Sequence, residues 1–108
     1  MAVPGEAVKL VQRWCEERDR PEFRDRARLE ATASGNTLTI FECTRMPDEA
    51  EWLRVPSAQF RYDPRTQVWA LYWADRDSKW HIVQVTPTFE IEELLDEVEA
   101  DPHCLFFG

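Results

Sequence analysis

The spacing of apolar residues changes twice along this chain of 108 residues, and those changes constrain its fold. Apolar side chains recur at helical intervals near the N-terminus, at every second position through the middle, and at helical intervals again after Pro87. A period near 3.6 is typical of an amphipathic helix, and a period of 2 is typical of a half-buried strand. The order helix, strands, helix predicts an α+β fold, and the length fits a single domain over residues 1–108.

A helix is predicted at each end of the chain. Residues 5–20 have one apolar face, and Pro4 and Pro21 suit its start and its stop. The second helix is predicted over residues 89–100, with Thr88 as its N-cap. The apolar tail that follows it is expected to pack back on the body of the domain, because so much apolar surface is costly in water. That tail contains Leu105, Phe106 and Phe107.

Between the helices we predict an antiparallel meander of five strands. The first two strands flank a two-residue turn, Gly35-Asn36, which is a strong hairpin signal. Residues 45–55 show no alternation and are predicted as a connection, within which residues 48–53 suit one helical turn. The remaining strands are predicted at residues 57–62, 68–73 and 80–85. The turn sets the first register, which pairs Ala33 with Leu38, Ala31 with Ile40, and Leu29 with Glu42.

Residues 71–81, LYWADRDSKWH, place aromatic residues on both sides of a charged loop. A four-residue loop at 75–78 would pair Trp73 with Trp80 and Tyr72 with His81. One face of this hairpin would then carry the tryptophans, and the other would carry Tyr72 and His81. Since both faces are apolar or aromatic, the hairpin is predicted either to be covered on both sides or to present one face to a partner.

Six residues make up the predicted functional surface: Tyr72, His81, Asp77, Lys79, Glu42 and Arg45. Histidine as a residue type can gain or lose a proton near neutral pH, so position 81 suits a base, a ligand or a pH switch as well as a structural hydrogen bond from His81. Glu42 falls on an apolar side, where a carboxylate has to be paired or protonated. Its expected partners are Arg45, Arg61 and Arg76, and the alternative is a ligand-binding or catalytic role.

The motifs of common enzymes are missing or incomplete. Asp77-Ser78-Lys79, with Asp75 or Glu42 as an additional acid, matches the acid-x-Lys triplet of metal-dependent nucleases only formally, because the triplet falls in a predicted loop. Three cysteines and two histidines have the atom types for zinc but lack its usual spacing. There is no phosphate-binding glycine loop and no GxSxG elbow. We therefore predict no metal and no cofactor, assign no catalytic residue, and favour a non-enzymatic protein.

The formal net charge of −8 is concentrated near the C-terminus, where residues 90–108 include seven acidic and no basic residues. Such a chain repels polyphosphate at long range, although Arg24, Arg26 and Arg28 occupy alternate positions that suit phosphate binding. Neither a signal peptide nor a membrane-spanning stretch is predicted. The odd number of cysteines fits reduced thiols, so the expected location is the cytoplasm.

The stretch WALYWADRDSKWH and the ending DPHCLFFG carry a resemblance to a known family. They resemble a bacterial family of small domains of unknown function, over roughly residues 24–108. The pattern is W-x-L-Y-W, a loop with Asp and Lys, W-H, and an aromatic-Gly end preceded by Asp. Matching residues are Trp69, Leu71, Tyr72, Trp73, Asp77, Lys79, Trp80, His81, Asp101, Phe106, Phe107 and Gly108. The resemblance implies no activity.

Three functions remain open from the sequence. The first is a non-catalytic protein-binding or regulatory module that meets a basic partner surface through the hairpin and the acidic C-terminal helix. The second is a small metal-dependent hydrolase or nuclease using Glu42, Asp77, Lys79 and His81. The third is a nucleic-acid or nucleotide binder using the three arginines at positions 24, 26 and 28. An exposed sheet edge also makes a homodimer an expectation.

Overall fold

A computed structural model describes residues 3–23, 25–84, 86–102 and 105–106. It has an N-terminal helix, one five-stranded antiparallel sheet in the order β1-β2-β3-β4-β5, and a C-terminal helix, which confirms the predicted α+β meander. No helix in the described part of the chain is long and apolar enough to cross a membrane. The elements are α1 Gly5–Arg18, a 3-10 turn Pro21–Phe23, β1 Ala27–Ser34, β2 Thr37–Thr44, β3 Leu53–Asp63, β4 Val68–Ala74, β5 Trp80–Ile82 and α2 Ile91–Ala100.

The core lies between the two α-helices and one face of the sheet. Val11 of α1 and Val98 of α2 have no exposed surface, and neither do Leu38, Ile40 and Phe60 of the sheet. Each such side chain contributes about 1.5–3 kcal/mol by leaving water. The periodicity of both helices therefore predicted the face that each one buries.

The apolar tail packs on this core, as far as the structure describes it. Phe106 is buried, and Leu105 packs against the core cluster. The backbone N–H groups of both residues donate to Oδ1 of Asp101, which bends the chain back after α2. Phe107, the third residue of the predicted tail, lies outside the described residues.

The first hairpin has the predicted register, with Ala33 opposite Leu38 and Leu29 opposite Glu42. Gly35 has a φ of +56°, while Asn36 is not among the described residues with positive φ. A positive φ at the first central position alone is the pattern of a type II′ turn, whose twist suits a hairpin. The turn chemistry thus sets the register of β1 and β2.

The segment that leads into β3 differs from its prediction. Residues 48–53 form no helical turn, and β3 begins at Leu53 instead of at the predicted residue 57. The alternation of apolar and polar residues is not visible there because β3 contains a bulge. Ile40 pairs with Ala58 and Phe41 with Pro56, which leaves Ser57 as the extra residue of β3. Proline has no N–H for a ladder hydrogen bond, and a bulge is a place where a strand tolerates it.

The two faces of the sheet have different surroundings. The helix face carries the core residues and, at its margin, Trp73. The open face is the side away from α1 and α2, and directly paired residues that share it include Thr39, Gln59, Tyr72 and Ile82. Its other members, placed by pairing and alternation, include Arg28, Glu30, Thr32, Phe41, Cys43, Arg54, Arg61, Asp63, Ala70 and Trp80.

Candidate functional site

The hairpin of β4 and β5 is shifted by one residue from its predicted register. Ala74 pairs with Trp80, Trp73 with His81, and Tyr72 with Ile82. The connecting loop has five residues, 75–79, instead of four. A one-residue slip moves every side chain of a strand to the other face. The prediction that Tyr72 and His81 share a face is therefore wrong.

A carboxylate closes this longer loop. Oδ1 of Asp75 accepts the N–H groups of Asp77 and Lys79 at 2.9 and 3.0 Å. Within the same loop Ser78 adopts a left-handed φ of 60°. Asx hydrogen bonds of this kind stabilise turns, but residue counting in the sequence does not reveal how many loop residues they enclose. Asp75 therefore sets the loop length that the sequence interpretation missed.

His81 lies at the margin of the helix face and contacts the carboxylate of Asp75. Its ring stacks on Trp73 with centroids 4.7 Å apart, and its Nε2 lies 2.7 Å from Oδ2 of Asp75. The hydrogen bond from His81 is the largest cause that lowers the pKa of Asp75, followed by the N–H of Lys79. Because the His81 side chain is 47% exposed, this pair fits a loop clamp better than an enclosed catalytic pair.

Tyr72 lies on the open face beneath an arginine. The guanidinium carbon of Arg61 is 3.8 Å from the centroid of the Tyr72 ring. Nε of Arg61 donates to Gln59, whose side-chain amide in turn donates to Thr39. The aromatic surface predicted for this side of the hairpin is therefore covered by a charged side chain.

Glu42 has the predicted position, with Leu29 on one side and Val55 on the other. Burial raises the pKa of Glu42, and a hydrogen bond with the Ser57 side chain partly offsets the rise. The expected partner Arg45 instead donates to the carbonyl oxygen of Asp25. Arg61 covers Tyr72, and Arg76 lies in the exposed loop, so the prediction that one of the three pairs with Glu42 is wrong.

The residues of the hydrolase hypothesis do not meet. Glu42 lines a cavity of about 280 Å³ beside Phe23 and Leu29, and the lining of that cavity includes none of Asp77, Lys79 and His81. Glu42 is on β2 and His81 on β5, which are three strand spacings apart, or about 14 Å at about 4.8 Å per spacing. Within the described residues no group of three His, Cys, Asp or Glu side chains is placed to hold a metal ion. This geometry gives the hydrolase hypothesis no common site.

The arginine row of the nucleic-acid hypothesis forms only in part. β1 begins at Ala27, so Arg26 precedes the strand, where its guanidinium lies over Phe23. Arg28 is on the open face, and Arg24 lies outside the described residues. The even spacing of the three arginines therefore did not correspond to one strand face.

A groove along the outer edge of β1 has no counterpart in the sequence predictions. Its volume is about 610 Å³, and it is lined by residues 28–32 of β1, by Gln12, Cys15 and Glu16 of α1, and by Asp19, which directly follows that helix. The N–H of Leu29 donates to Oδ1 of Asp19 at 2.9 Å, which shows that this N–H points away from β2. Backbone directions repeat every second residue in an antiparallel strand, so the N–H and C=O of Ala31 point outward too. Neither group of Ala31 has a hydrogen-bond partner in the described part of the chain.

The groove is acidic where it meets solvent. Its lining has three carboxylates, from Glu16, Asp19 and Glu30, and one guanidinium, from Arg28. Arg28 is already engaged with Glu30 at 2.9 Å and with the Trp52 ring at 4.2 Å. One sequence signal pointed to this edge: residues 31–33, Ala-Thr-Ala, include none of the lysines or prolines that usually protect an edge strand.

Comparison with known proteins gives a family and no activity. The chain belongs to the family described as "Domain of unknown function (DUF3024)", which matches residues 2–108. The predicted membership in a small family of unknown function is thereby confirmed. A search of curated proteins and a search of solved structures each found no significant match.

Proposed function

We propose that this member of the DUF3024 family is a non-catalytic protein-binding module, which receives an extended basic segment of a partner protein along the edge of β1. The observation that supports this most is the unpaired N–H and C=O of Ala31, placed in the groove beside α1. A peptide that adds a strand to a sheet edge gains main-chain hydrogen bonds, and neighbouring side chains supply specificity.

The groove fits one short added strand. Residues 28–32 line it continuously, and four strand steps of about 3.3 Å make it about 13 Å long. The N–H of Leu29 already donates to the carboxylate of Asp19. A carbonyl oxygen of an added strand therefore cannot accept that N–H, and pairing is blocked at the Leu29 end of the edge. Pairing would therefore centre on Ala31, and this restriction favours a single register.

Charge favours a basic segment. Side chains of an added strand that point toward the helix face would lie next to α1, where Gln12 and Glu16 are exposed along the groove. Charged groups across such a contact set partner choice and association rate more than affinity. A lysine or arginine opposite Glu16 matches this arrangement, and an acidic residue there would be repelled.

The predicted site at the hairpin is less suited to the same role. Tyr72 is covered by Arg61, and the ring of Trp73 is stacked on His81. An extended peptide that docked there would have to displace the Arg61 side chain, whereas the edge of β1 has unpaired backbone groups with which a peptide can pair directly. A cytoplasmic location, a homodimer and a role for the acidic α2 remain predictions from the sequence.

The test is a titration of the protein with a ten-residue peptide of alternating lysine and valine, followed by backbone amide NMR. We expect shifts centred on residues 29–33 and new protection of the Ala31 amide. Ala31→Pro removes the outward donor and should weaken binding at least about tenfold, or about 1.4 kcal/mol. Edge strands tolerate proline where the N–H faces solvent, so the fold should survive.

Two comparisons make this experiment decisive. An alternating glutamate and valine peptide keeps the strand tendency but reverses the charge, and it should bind more weakly. Glu16→Gln should lower the affinity for the basic peptide and thereby reduce the difference in affinity between the basic and the acidic peptide. The proposal is wrong if the basic peptide leaves the Ala31 amide unprotected, or if Ala31→Pro binds it as well as the unmodified protein does.

A further inference from the structure

We propose that the open face of the sheet is a second binding surface and that its ligand is a single-stranded nucleic acid. The surface lies on the side of the sheet away from the helices, and it shares Arg28 and Glu30 with the lining of the groove at β1. The proposal rests separately on the stacks of Arg54 on Phe41 and of Arg61 on Tyr72, which do not line that groove.

The open face and its border carry three arginine–aromatic stacks. Guanidinium carbons lie 4.2 Å from the Trp52 centroid, 4.2 Å from the Phe41 centroid and 3.8 Å from the Tyr72 centroid. The arginines are Arg28, Arg54 and Arg61, respectively. Proteins that bind single strands combine such aromatic rings, on which bases stack, with cations for the backbone.

The charge of this surface is opposite to that of the whole chain. Arg28 and Arg54 share a single carboxylate, that of Glu30, at 2.9 and 3.3 Å, and Arg61 adds a further positive charge. Asp63, at the end of β3, lies on the same face as Arg61, so three guanidiniums face two carboxylates. The acidic excess lies elsewhere: α2 contains five acidic and no basic residues. The width of α2, about 10 Å, separates its exposed carboxylates from the sheet. That distance exceeds the Debye length of about 8 Å, so salt screens the effect of these carboxylates on the open face. The net charge of −8 therefore does not govern the local potential of the open face.

The stacks favour nucleic acid over an acidic peptide. In the free protein each guanidinium is a planar group that covers a ring, and a base is a planar group that can take the same place. The displaced guanidinium can then pair with a phosphate. Nε of Arg28 is buried without a hydrogen-bond partner in the described residues, so this exchange would also satisfy an unpaired donor. Carboxylate side chains offer no planar surface of that size to cover the exposed ring.

The spacing of the rings suits an unpaired strand. Tyr72 pairs with Gln59, which pairs with Thr39, and Phe41 is two residues further along β2. Two strand spacings and two residue steps separate the rings of Phe41 and Tyr72 by roughly 12 Å. This is too far for consecutive stacked bases and suits bases that are splayed apart, as single strands allow and duplexes do not.

The experiment is fluorescence anisotropy at low salt with a labelled twelve-nucleotide single-stranded RNA, its DNA counterpart and the matching duplex. We expect binding of the single strands, weaker binding of the duplex, and affinity that falls as salt rises. Tyr72→Leu should reduce affinity about 5- to 150-fold, the range for loss of one base stack, while Tyr72→Phe should keep most of it. Arg61→Lys keeps the charge but not the flat stack, and should bind more weakly than the unmodified protein.

The matched control is Arg65→Ala, which removes an arginine of the exposed turn between β3 and β4. It should leave binding nearly unchanged, and thermal melts should show that every variant remains folded. The proposal fails if the single strands do not bind, or if Tyr72→Leu and Arg65→Ala have equal effects. A labelled polyglutamate that binds as tightly, with the same dependence on Tyr72, would overturn it and assign the surface to acidic protein segments.

Discussion

The outer strands of the two hairpins at the edges of the sheet, β1 and β5, differ in length, in the turn beside them and in the exposure of their outer edge. β1 has eight residues, leads into a tight two-residue turn, and keeps an outer edge beside α1 that is unpaired at Ala31. β5 has three residues and is held by a five-residue loop that Asp75 ties together. A very short edge strand is one way in which proteins avoid unwanted pairing. The comparison indicates that the sheet is protected at β5 and available at β1.

The largest expected difference between the hairpins is in side-chain burial. Leu38 of the first hairpin has no exposed surface, whereas Ile82 of the second is 49% exposed. Leu38→Ala should lower the free energy of unfolding by about 2–5 kcal/mol through lost transfer energy and a cavity. Ile82→Ala should change it by no more than about 0.5 kcal/mol. Urea denaturation measures both, and similar losses would contradict the view that β5 is a peripheral strand.

The second difference is in the turns. Gly35 has a φ of +56°, and a Cβ there would meet nothing within 4 Å, so Gly35→Ala should cost about 1–2 kcal/mol through backbone conformation alone. Ser78 has a φ of 60° but is not glycine. Ser78→Gly relieves that strain but adds unfolded-state entropy, so it should stabilise by less than about 1 kcal/mol. Thermal melts should show a lower melting temperature for Gly35→Ala and a slightly higher one for Ser78→Gly. An unchanged melting temperature for Gly35→Ala would argue against the assigned turn.

The smallest difference is in the dependence of stability on pH. Hydrogen bonds lower the pKa of Asp75 below its ordinary 3.8, so its carboxylate stabilises the fold above that value and this stabilisation is lost as pH falls through the folded pKa. Burial raises the pKa of Glu42 above its ordinary 4.5, so folding favours the protonated side chain. The stabilisation by protonated Glu42 is fully present below pH 4.5 and is lost as the pH rises through the folded pKa. The two carboxylates therefore act in opposite directions.

Two conservative variants separate these effects. Asp75→Asn should destabilise the protein at neutral pH, and the loss should begin to shrink near pH 3.8 and disappear only as the pH falls through the lowered folded pKa of Asp75. Glu42→Gln should stabilise it at neutral pH, and the gain should shrink as the pH falls toward 4.5. Urea denaturation of both variants and the unmodified protein at about pH 2.5, 5 and 7 measures how each difference in the free energy of unfolding changes with pH. If Glu42→Gln destabilises the protein at pH 7, the hydrogen bond with Ser57 or a further partner outweighs the burial of the Glu42 carboxylate, which contradicts burial as the dominant influence.

The same two hairpins show how much of the fold the sequence could predict. Helix faces and the β1–β2 register follow from periodicity and from Gly35-Asn36, which are local signals. The β4–β5 register depends on Asp75, whose hydrogen bonds enclose five residues where four were expected. The late start predicted for β3 has a similar cause, because the bulge at Ile40 and Phe41 interrupts its alternation. Both errors come from contacts that residue spacing does not encode.

The candidate site was harder to predict than the fold. Periodicity placed Glu42 correctly between apolar neighbours but could not show that Arg45 would bond to the Asp25 carbonyl instead. The groove at β1 depends on backbone groups, which look the same at every position of a sequence. Only the contact between Leu29 and Asp19 reveals which way these groups point.

Amide hydrogen exchange of the unbound protein, read residue by residue, tests the central claim that the edge of β1 is available. The N–H groups of Glu30 and Thr32 point toward β2 and should exchange slowly, whereas that of Ala31 points into the groove and should exchange rapidly. Leu29, bonded to Asp19, should be intermediate. Equal, strong protection of Ala31, Glu30 and Thr32 would mean that the edge is already paired, and it would contradict the proposed docking of a partner strand.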